Sequence, residues 1–140
     1  MEFFKPIEIR WSDLDPNFHL RHSAYYDFGA FCRIAFMTEH GLGLQLLAAN
    51  NIGPILFREE CVFKREIQFG DTIKINLKLT KTNHDFSRWT MVHEIWKNDT
   101  VLAAIITVDG AWLDTVKRKL TIPPEHFLQI FEKVKIKMDN

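Results

Sequence analysis

The sequence predicts an α+β fold in which an antiparallel sheet of about five strands wraps around one long α-helix. Two observations lead there. One stripe of apolar residues at three- and four-residue steps, Ala24, Phe28, Phe31, Cys32, Ala35 and Phe36, marks a single amphipathic helix. After it, runs rich in β-formers are separated by clusters of turn residues, the pattern of a meander rather than of strands alternating with helices.

In chain order, Ile7, Ile9 and Trp11 alternate with Glu8 and Arg10, as a half-buried first strand would. That strand runs into Ser12-Asp13-Leu14-Asp15-Pro16-Asn17, rich in turn formers. The helix follows, with Ser23 as its expected N-cap and Gly41 as its stop. Gly29 inside it costs about 1 kcal/mol relative to alanine, which suggests that another backbone passes close by, such as a sheet wrapped around the helix. A short apolar stretch, residues 42–49, ends at Asn50-Asn51 and Gly53-Pro54.

Residues 55–67 read as extended, and Phe69-Gly70-Asp71-Thr72 as a turn. Ile73, Ile75, Leu77 and Leu79 alternate with Lys74, Asn76, Lys78 and Thr80, the cleanest strand in the chain, closed by Asn83-His84-Asp85. Residues 87–96 and 101–113 form two further strands joined by a hairpin at Lys97-Asn98-Asp99. Both carry apolar residues on both faces, as central strands do. Pro123-Pro124 opens a last helix with Phe127, Leu128, Ile130, Phe131 and Val134 as its buried stripe, and residues 133–137 read as a frayed end. No linker or repeat divides the chain, so one domain over residues 1–140 is expected.

Composition sets outer bounds on function. With 46% hydrophobic residues and 13% aromatic, including 12 Phe and 4 Trp, the chain can bury a substantial core. Eighteen Lys and Arg balance eighteen Asp and Glu, a formal net charge of zero. That balance argues against a nucleic-acid or membrane-surface binder, which needs a field of one sign. No apolar run approaches the roughly 18 residues of a membrane span. Met1 to Arg10 carries Glu2, Lys5 and Glu8, unlike a signal peptide. Cys32 and Cys61 lack paired spacing and read as reduced, buried thiols. A cytoplasmic protein is expected.

Chemistry concentrates between the first strand and the long helix, where Asp13, Asp15, His19, Arg21 and His22 fall within ten positions. A carboxylate just before a helix N-terminus suits acyl chemistry, because the unpaired amides and positive dipole end can hold a developing oxyanion. The carboxylate can serve as base or as nucleophile. An aspartate is a weak base unless burial or a like charge such as that of Asp13 helps it. A thiolate, whose thiol has a pKa of roughly 8.5, leaves without a strong general acid, so one carboxylate and an oxyanion hole suffice for a thioester. Two other readings of the same residues stand beside this one. The Asp-x-Asp-Pro-Asn stretch can be a turn in which Asp side chains bond nearby amides, and His19 with His22 has the spacing of a metal pair that lacks a third ligand.

The segment resembles the signature of hotdog-fold acyl-CoA thioesterases of the 4-hydroxybenzoyl-CoA thioesterase type, Asp-x-Asp-x-x-Gly-His-Val-Asn-Asn-x-x-Tyr ahead of a central helix. Asp13, Asp15, His19 and Tyr25 match in register, Leu20 conservatively replaces the Val, and Gly70-Asp71 falls at a family turn. The resemblance implies a hotdog fold, hydrolysis of acyl-CoA to free acid and CoA, no metal or other cofactor, and a homodimer or homotetramer. It implies Asp15 as the catalytic carboxylate, with His19 lining the site or fixing the loop and a backbone N–H near His22 polarising the carbonyl. Asp13, Phe18, Arg21, Ser23 and Tyr25 would contact substrate, and Lys64, Arg65 or Lys117-Arg118-Lys119 would meet the phosphates of CoA. Four positions depart from the pattern. Phe18 replaces the Gly, Arg21-His22 replaces the Asn pair, and Ala30 stands where many relatives carry an acid, with Asp27 one turn earlier as the substitute. A non-catalytic acyl-CoA or acyl-chain binding module on the same fold is therefore the alternative, and a hydratase ranks below both. Glu59-Glu60 offers a partly buried acid at a subunit interface.

Overall fold

The structure is a computed structural model and describes residues 1–136. Its elements run β1 (Phe4–Ile7), α1 (Ala24–Glu39), α2 (Leu44–Ala49), β2 (Ile52–Phe63), β3 (Ile73–Asn76), β4 (Lys78–Thr82), β5 (Arg88–Lys97), β6 (Val101–Asp114), β7 (Lys119–Leu120) and α3 (Glu125–Phe131). The α+β class and the antiparallel sheet are as expected, but the inventory among the described residues is larger: five strands follow the path β1-β3-β5-β6-β2, and two more lie off it, β4 beside β5 and β7 beside β6. Three α-helices accompany them among the described residues, of 16, six and seven residues.

The cleanest predicted strand is two strands. Ile73, Ile75, Leu77 and Leu79 all point inward, as their alternation requires, yet the ladder is interrupted at Asn76. The Asn76 side chain takes over pairing with β5, accepting from the Glu94 amide at 2.6 Å and donating to Glu94 Oε1 at 2.7 Å. Its carbonyl is diverted to buried side chains, accepting from His93 Nδ1 at 2.8 Å and from Cys32 Sγ at 3.4 Å.

The expected first strand is also displaced. β1 lies earlier, and Trp11 opens a 3-10 turn, Trp11–Asp13. The Arg10 amide donates to Asp13 Oδ2 at 2.9 Å and the Asp13 amide to the Arg10 carbonyl at 2.9 Å. This local closure overrides the apolar alternation and leaves Trp11 exposed.

α1 lies against β2, β3 and β6. Its buried face is Ala24, Tyr25, Phe28, Gly29, Cys32, Phe36 and Met37, so Phe31, placed on that face by spacing, is instead exposed. Gly29 meets a side chain rather than a backbone, since a Cβ there would stand 3.3 Å from His93 Cδ2. The helix stops where expected, with Gly41 at φ +82° and the Leu42 amide donating to the Met37 carbonyl at 2.7 Å. Residues 42–49 contribute α2.

At the other end of the sheet, α3 begins after Pro124 and buries Phe127 and Phe131 against Trp112. Val134 follows on a 3-10 turn and is buried, and the Ile136 amide donates to the Leu79 carbonyl at 3.0 Å. The expected fraying of residues 133–137 is thus not seen through Ile136, and Lys137 lies outside the described residues. Trp89 and Gly110 pair across β5 and β6, and the indole lies over the glycine so closely that a Cβ there would also come within 2.5 Å of the Ile55 carbonyl oxygen. Cys32 is buried and Cys61 half-buried, and both are free. Burial pushes their thiols up, to about 12 and about 11. No helix among the described residues is long and apolar enough to cross a membrane.

Candidate active site

The segment from Asp13 to Tyr25 folds as a tight hairpin that feeds α1. Leu14 and Leu20 bridge antiparallel, the Asp15 amide donates to the His19 carbonyl at 2.8 Å, and the Phe18 amide donates to the Asp15 carbonyl at 3.0 Å. Pro16 fits the second position of such a turn. Phe18 takes the left-handed conformation, φ 64°, that a three-residue hairpin usually assigns to Gly. Its ring is exposed and lies 6.0 Å from that of Trp11, away from the cavity described below.

Left-handed backbone costs a residue with a Cβ roughly 1–2 kcal/mol, and glycine recovers that cost while losing more entropy on folding. Phe18→Gly should therefore leave stability within about 1 kcal/mol. Phe18→Val, β-branched at positive φ, should cost at least about 1 kcal/mol more than the glycine variant. Urea unfolding of the two variants reads the difference.

Asp13 is the structural partner of this loop. It is 1% exposed and accepts from Arg10 Nε at 3.2 Å and Nη2 at 3.0 Å, with Arg21 Nη2 at 3.8 Å. The Arg10 guanidinium holds its carboxyl below the usual carboxylate range against the opposing effect of burial. Arg21 completes the clamp, donating from its amide to the Asp13 carbonyl at 2.8 Å and from Nε to the Ser12 carbonyl at 3.2 Å. Its Nη1 donates to Ser23 Oγ. Ser23 is the N-cap of α1, as expected, but its side chain caps no amide, and the first helical amide, that of Ala24, is satisfied by the Arg21 carbonyl at 3.0 Å. Asp27 is exposed, 3.9 Å from Arg21.

Asp15 makes the turn with one oxygen and leaves the other without a partner among the described residues. Oδ1 accepts from the Asn17 amide at 2.8 Å and the His19 amide at 3.1 Å, which is the turn. Oδ2 accepts no hydrogen bond among the described residues, and the side chain lines a cavity of about 350 Å³. The same cavity is lined by His19, His22 and Tyr25 and, from the segment after β2, by Lys64 and Arg65. The amide of His22, at the entrance to α1, donates to nothing among the described residues. The His19 ring is held by Glu66, with Nε2 3.2 Å from its carboxylate. Tyr25 packs edge-on to Phe63 at 4.9 Å, and burial raises its hydroxyl to about 12, so it stays protonated near neutral pH.

Of the residues singled out by sequence, Asp15, His19, His22, Tyr25, Lys64 and Arg65 meet at this cavity, whereas Asp13, Phe18, Arg21 and Ser23 do not line it and build its loop. Lys117, Arg118 and Lys119 lie beyond Asp114, which pairs with Ile52 at the opposite end of β2. Glu66 and Ile67 also line the cavity and were not singled out. They arrive through a bridge between His19 and Gln68 and through the Leu20 amide bonding the Ile67 carbonyl at 2.7 Å, pairings that no periodicity announces.

The chain matches the model of the thioesterase-like superfamily over residues 9–131. No curated protein matches it by sequence. Among solved structures it is similar to a Staphylococcus aureus protein in complex with CoA, at TM-score 0.87 and 19% identity over 99% of this chain and 89% of that one. It is likewise similar to a 1,4-dihydroxy-2-naphthoyl-CoA thioesterase from Synechocystis, at TM-score 0.83 and 15% identity over 96% and 98%. A DHNA-CoA thioesterase from Staphylococcus aureus gives TM-score 0.83 and 15% identity over 95% and 90%. At these identities the likeness is one of fold.

Proposed function

We propose that this chain, which belongs to the thioesterase-like superfamily, hydrolyses an acyl-CoA thioester to the free acid and CoA. The observation that carries the proposal is that Asp15, fixed by one oxygen and free at the other, and His22, whose amide is unused among the described residues, line one cavity just ahead of α1. The thioester carbonyl oxygen takes the His22 N–H, which strengthens as negative charge develops on that oxygen. Asp15 Oδ2 removes a proton from a water that attacks the carbonyl carbon. The tetrahedral intermediate then collapses, the C–S bond breaks, and the thiolate departs with the bonding pair, needing no strong acid because a thiol has a pKa of about 8.5. Direct attack by Asp15 instead gives a mixed anhydride and expels the thiolate; when water then opens the anhydride at the aspartyl carbon, single turnover in oxygen-18 water places label in the Asp15 carboxylate, which the general-base route never does.

Supporting CoA as the thiol, Lys64 and Arg65 line the cavity and can meet phosphates, while Leu20, Tyr25, Phe63 and Ile67 present apolar surface to an acyl group. Similar folds include one that binds CoA and two that hydrolyse CoA thioesters. We further propose a homodimer formed through β2. This 12-residue strand pairs only on its β6 side among the described residues, and Leu56, Phe57, Val62 and Phe63 are exposed along it. A long apolar edge needs cover, and a twofold axis supplies it. A thiol-release assay over short, long and aromatic acyl-CoAs tests the activity. Release well above the buffer rate from at least one class supports it, and saturable binding without release would favour a binding module.

A further inference from the structure

A second cavity, of about 230 Å³, lies between α1 and the sheet and is apart from the Asp15 site. Leu56 lines it and Phe63 lines the first, and seven residues of strand separate them by about 23 Å. Its walls are apolar, from Ile34 and Met37 of α1, Trp89 and Met91 of β5, and Trp112 of β6, with one charged group, Arg33.

Arg33 is unusual for a core wall. Its side chain is 13% exposed, and Nη1 donates to His93 Nε2 at 3.0 Å. That contact fixes the imidazole with its proton on Nδ1, which donates to the Asn76 carbonyl at 2.8 Å. The histidine is fully buried, and burial, reinforced by the arginine, pulls it down to about 3, so it stays a neutral acceptor. The nearest counter-charge to the guanidinium is Glu59, at 3.8 Å, too long for a hydrogen bond. Arg33 makes no other hydrogen bond among the described residues. A guanidinium carries five donors in a fork that matches a carboxylate, and most of these are unspent. Burying a charge and a histidine to hold it gives little stability for its cost, so the arrangement calls for a ligand that completes it.

We infer that this cavity binds a compact apolar group ending in a carboxylate, with Arg33 as the residue that selects the charge. One cation in an apolar chamber matches a single carboxylate better than a multiply charged phosphate. For size, a cavity of roughly 150 Å³ can hold benzene, so this one takes a short aliphatic chain or a ring. If β2 pairs antiparallel with its copy, the Leu56 end of one chain lies beside the Phe63 end of the other. Resting on the thioesterase reading, the cavity then receives the far end of the acyl chain and favours acyl groups with a terminal carboxylate.

The test uses binding rather than turnover. In a Trp11→Phe, Trp96→Phe protein the remaining indoles are Trp89 and Trp112, both in the cavity wall. Their emission is titrated with hexanoate and with hexanamide at neutral pH. Hexanoate should bind at least tenfold more tightly than the amide, and Arg33→Met should bring it to the amide's level. Arg33→Lys, which keeps a cation beside Glu59, should retain part of the preference, and Ala30→Phe, filling the cavity from α1, should weaken both ligands. Equal binding of acid and amide, a preference that survives Arg33→Met, or no saturable change with either compound overturns the inference. Thiol release without acid binding sinks this inference alone, and acid binding without thiol release sinks only the preceding reading.

Discussion

Asp15→Asn should lower thiol release by about a thousandfold, which is about 4 kcal/mol on the barrier, with KM little changed. The size follows from removing the group that accepts the proton of water, worth roughly a hundred- to ten-thousandfold in general base catalysis. The fold should survive, because the amide side chain keeps an oxygen to accept from the Asn17 and His19 amides at 2.8 and 3.1 Å. The variant therefore separates the two jobs of the residue. Circular dichroism and the thermal midpoint should match the parent while the rate collapses. A rate within a few-fold of the parent would mean that the free oxygen does no chemistry.

Trp112→Ala should cost about 3–5 kcal/mol, the range for truncating a large buried aromatic, against a total that for a domain is about 5–15 kcal/mol. Trp112 is 0% exposed and contacts four rings, with centroids at 5.3 Å to Phe127, 5.8 Å to Phe86, 6.1 Å to Phe131 and 6.3 Å to Trp89. It ties β6 to α3 and to the loop before β5, so a hole there cannot be closed by moving one neighbour. Its indole N–H has no partner among the described residues, so the loss is one of packing alone. Trp112→Phe should accordingly retain more than half of the lost stability. Urea midpoints read both effects, and near-equal losses in the two variants would show that the ring contacts are not what holds this end of the sheet.

The fold was legible where local chemistry and tertiary packing agree. The apolar stripe of α1 apart from Phe31, the helix stop at Gly41 and the hairpin at Lys97-Asn98-Asp99 needed only neighbours in sequence. Expectation failed where a polar group outbid the hydrophobic pattern. Asp13 closes a turn on Arg10 and ends the alternation through Trp11, and Asn76 diverts its carbonyl to His93 and Cys32 and splits a strand. Ser23 holds the N-cap position that spacing assigned to it, but its hydroxyl accepts from Arg21 and caps no amide. The loop of the candidate site was readable because its residues are contiguous. The Arg33 chamber was not, since its key partners, Glu59 and His93, lie on β2 and β5, far from α1 in sequence. A lone arginine at the border of a helical stripe reads as surface until those strands are placed. Glu59, noted as a partly buried acid on a strand, is the one part of that cluster with a sequence signal.

A crystal structure with an acyl-CoA analogue whose sulfur is replaced by methylene bears most directly on the central claim. The carbonyl oxygen should lie about 3 Å from the His22 nitrogen, with an Asp15 oxygen within about 3.5 Å of the carbonyl carbon or sharing one water with it. A carbonyl turned away from the start of α1, with the Asp15 carboxylate facing only solvent or its own loop, would contradict the account.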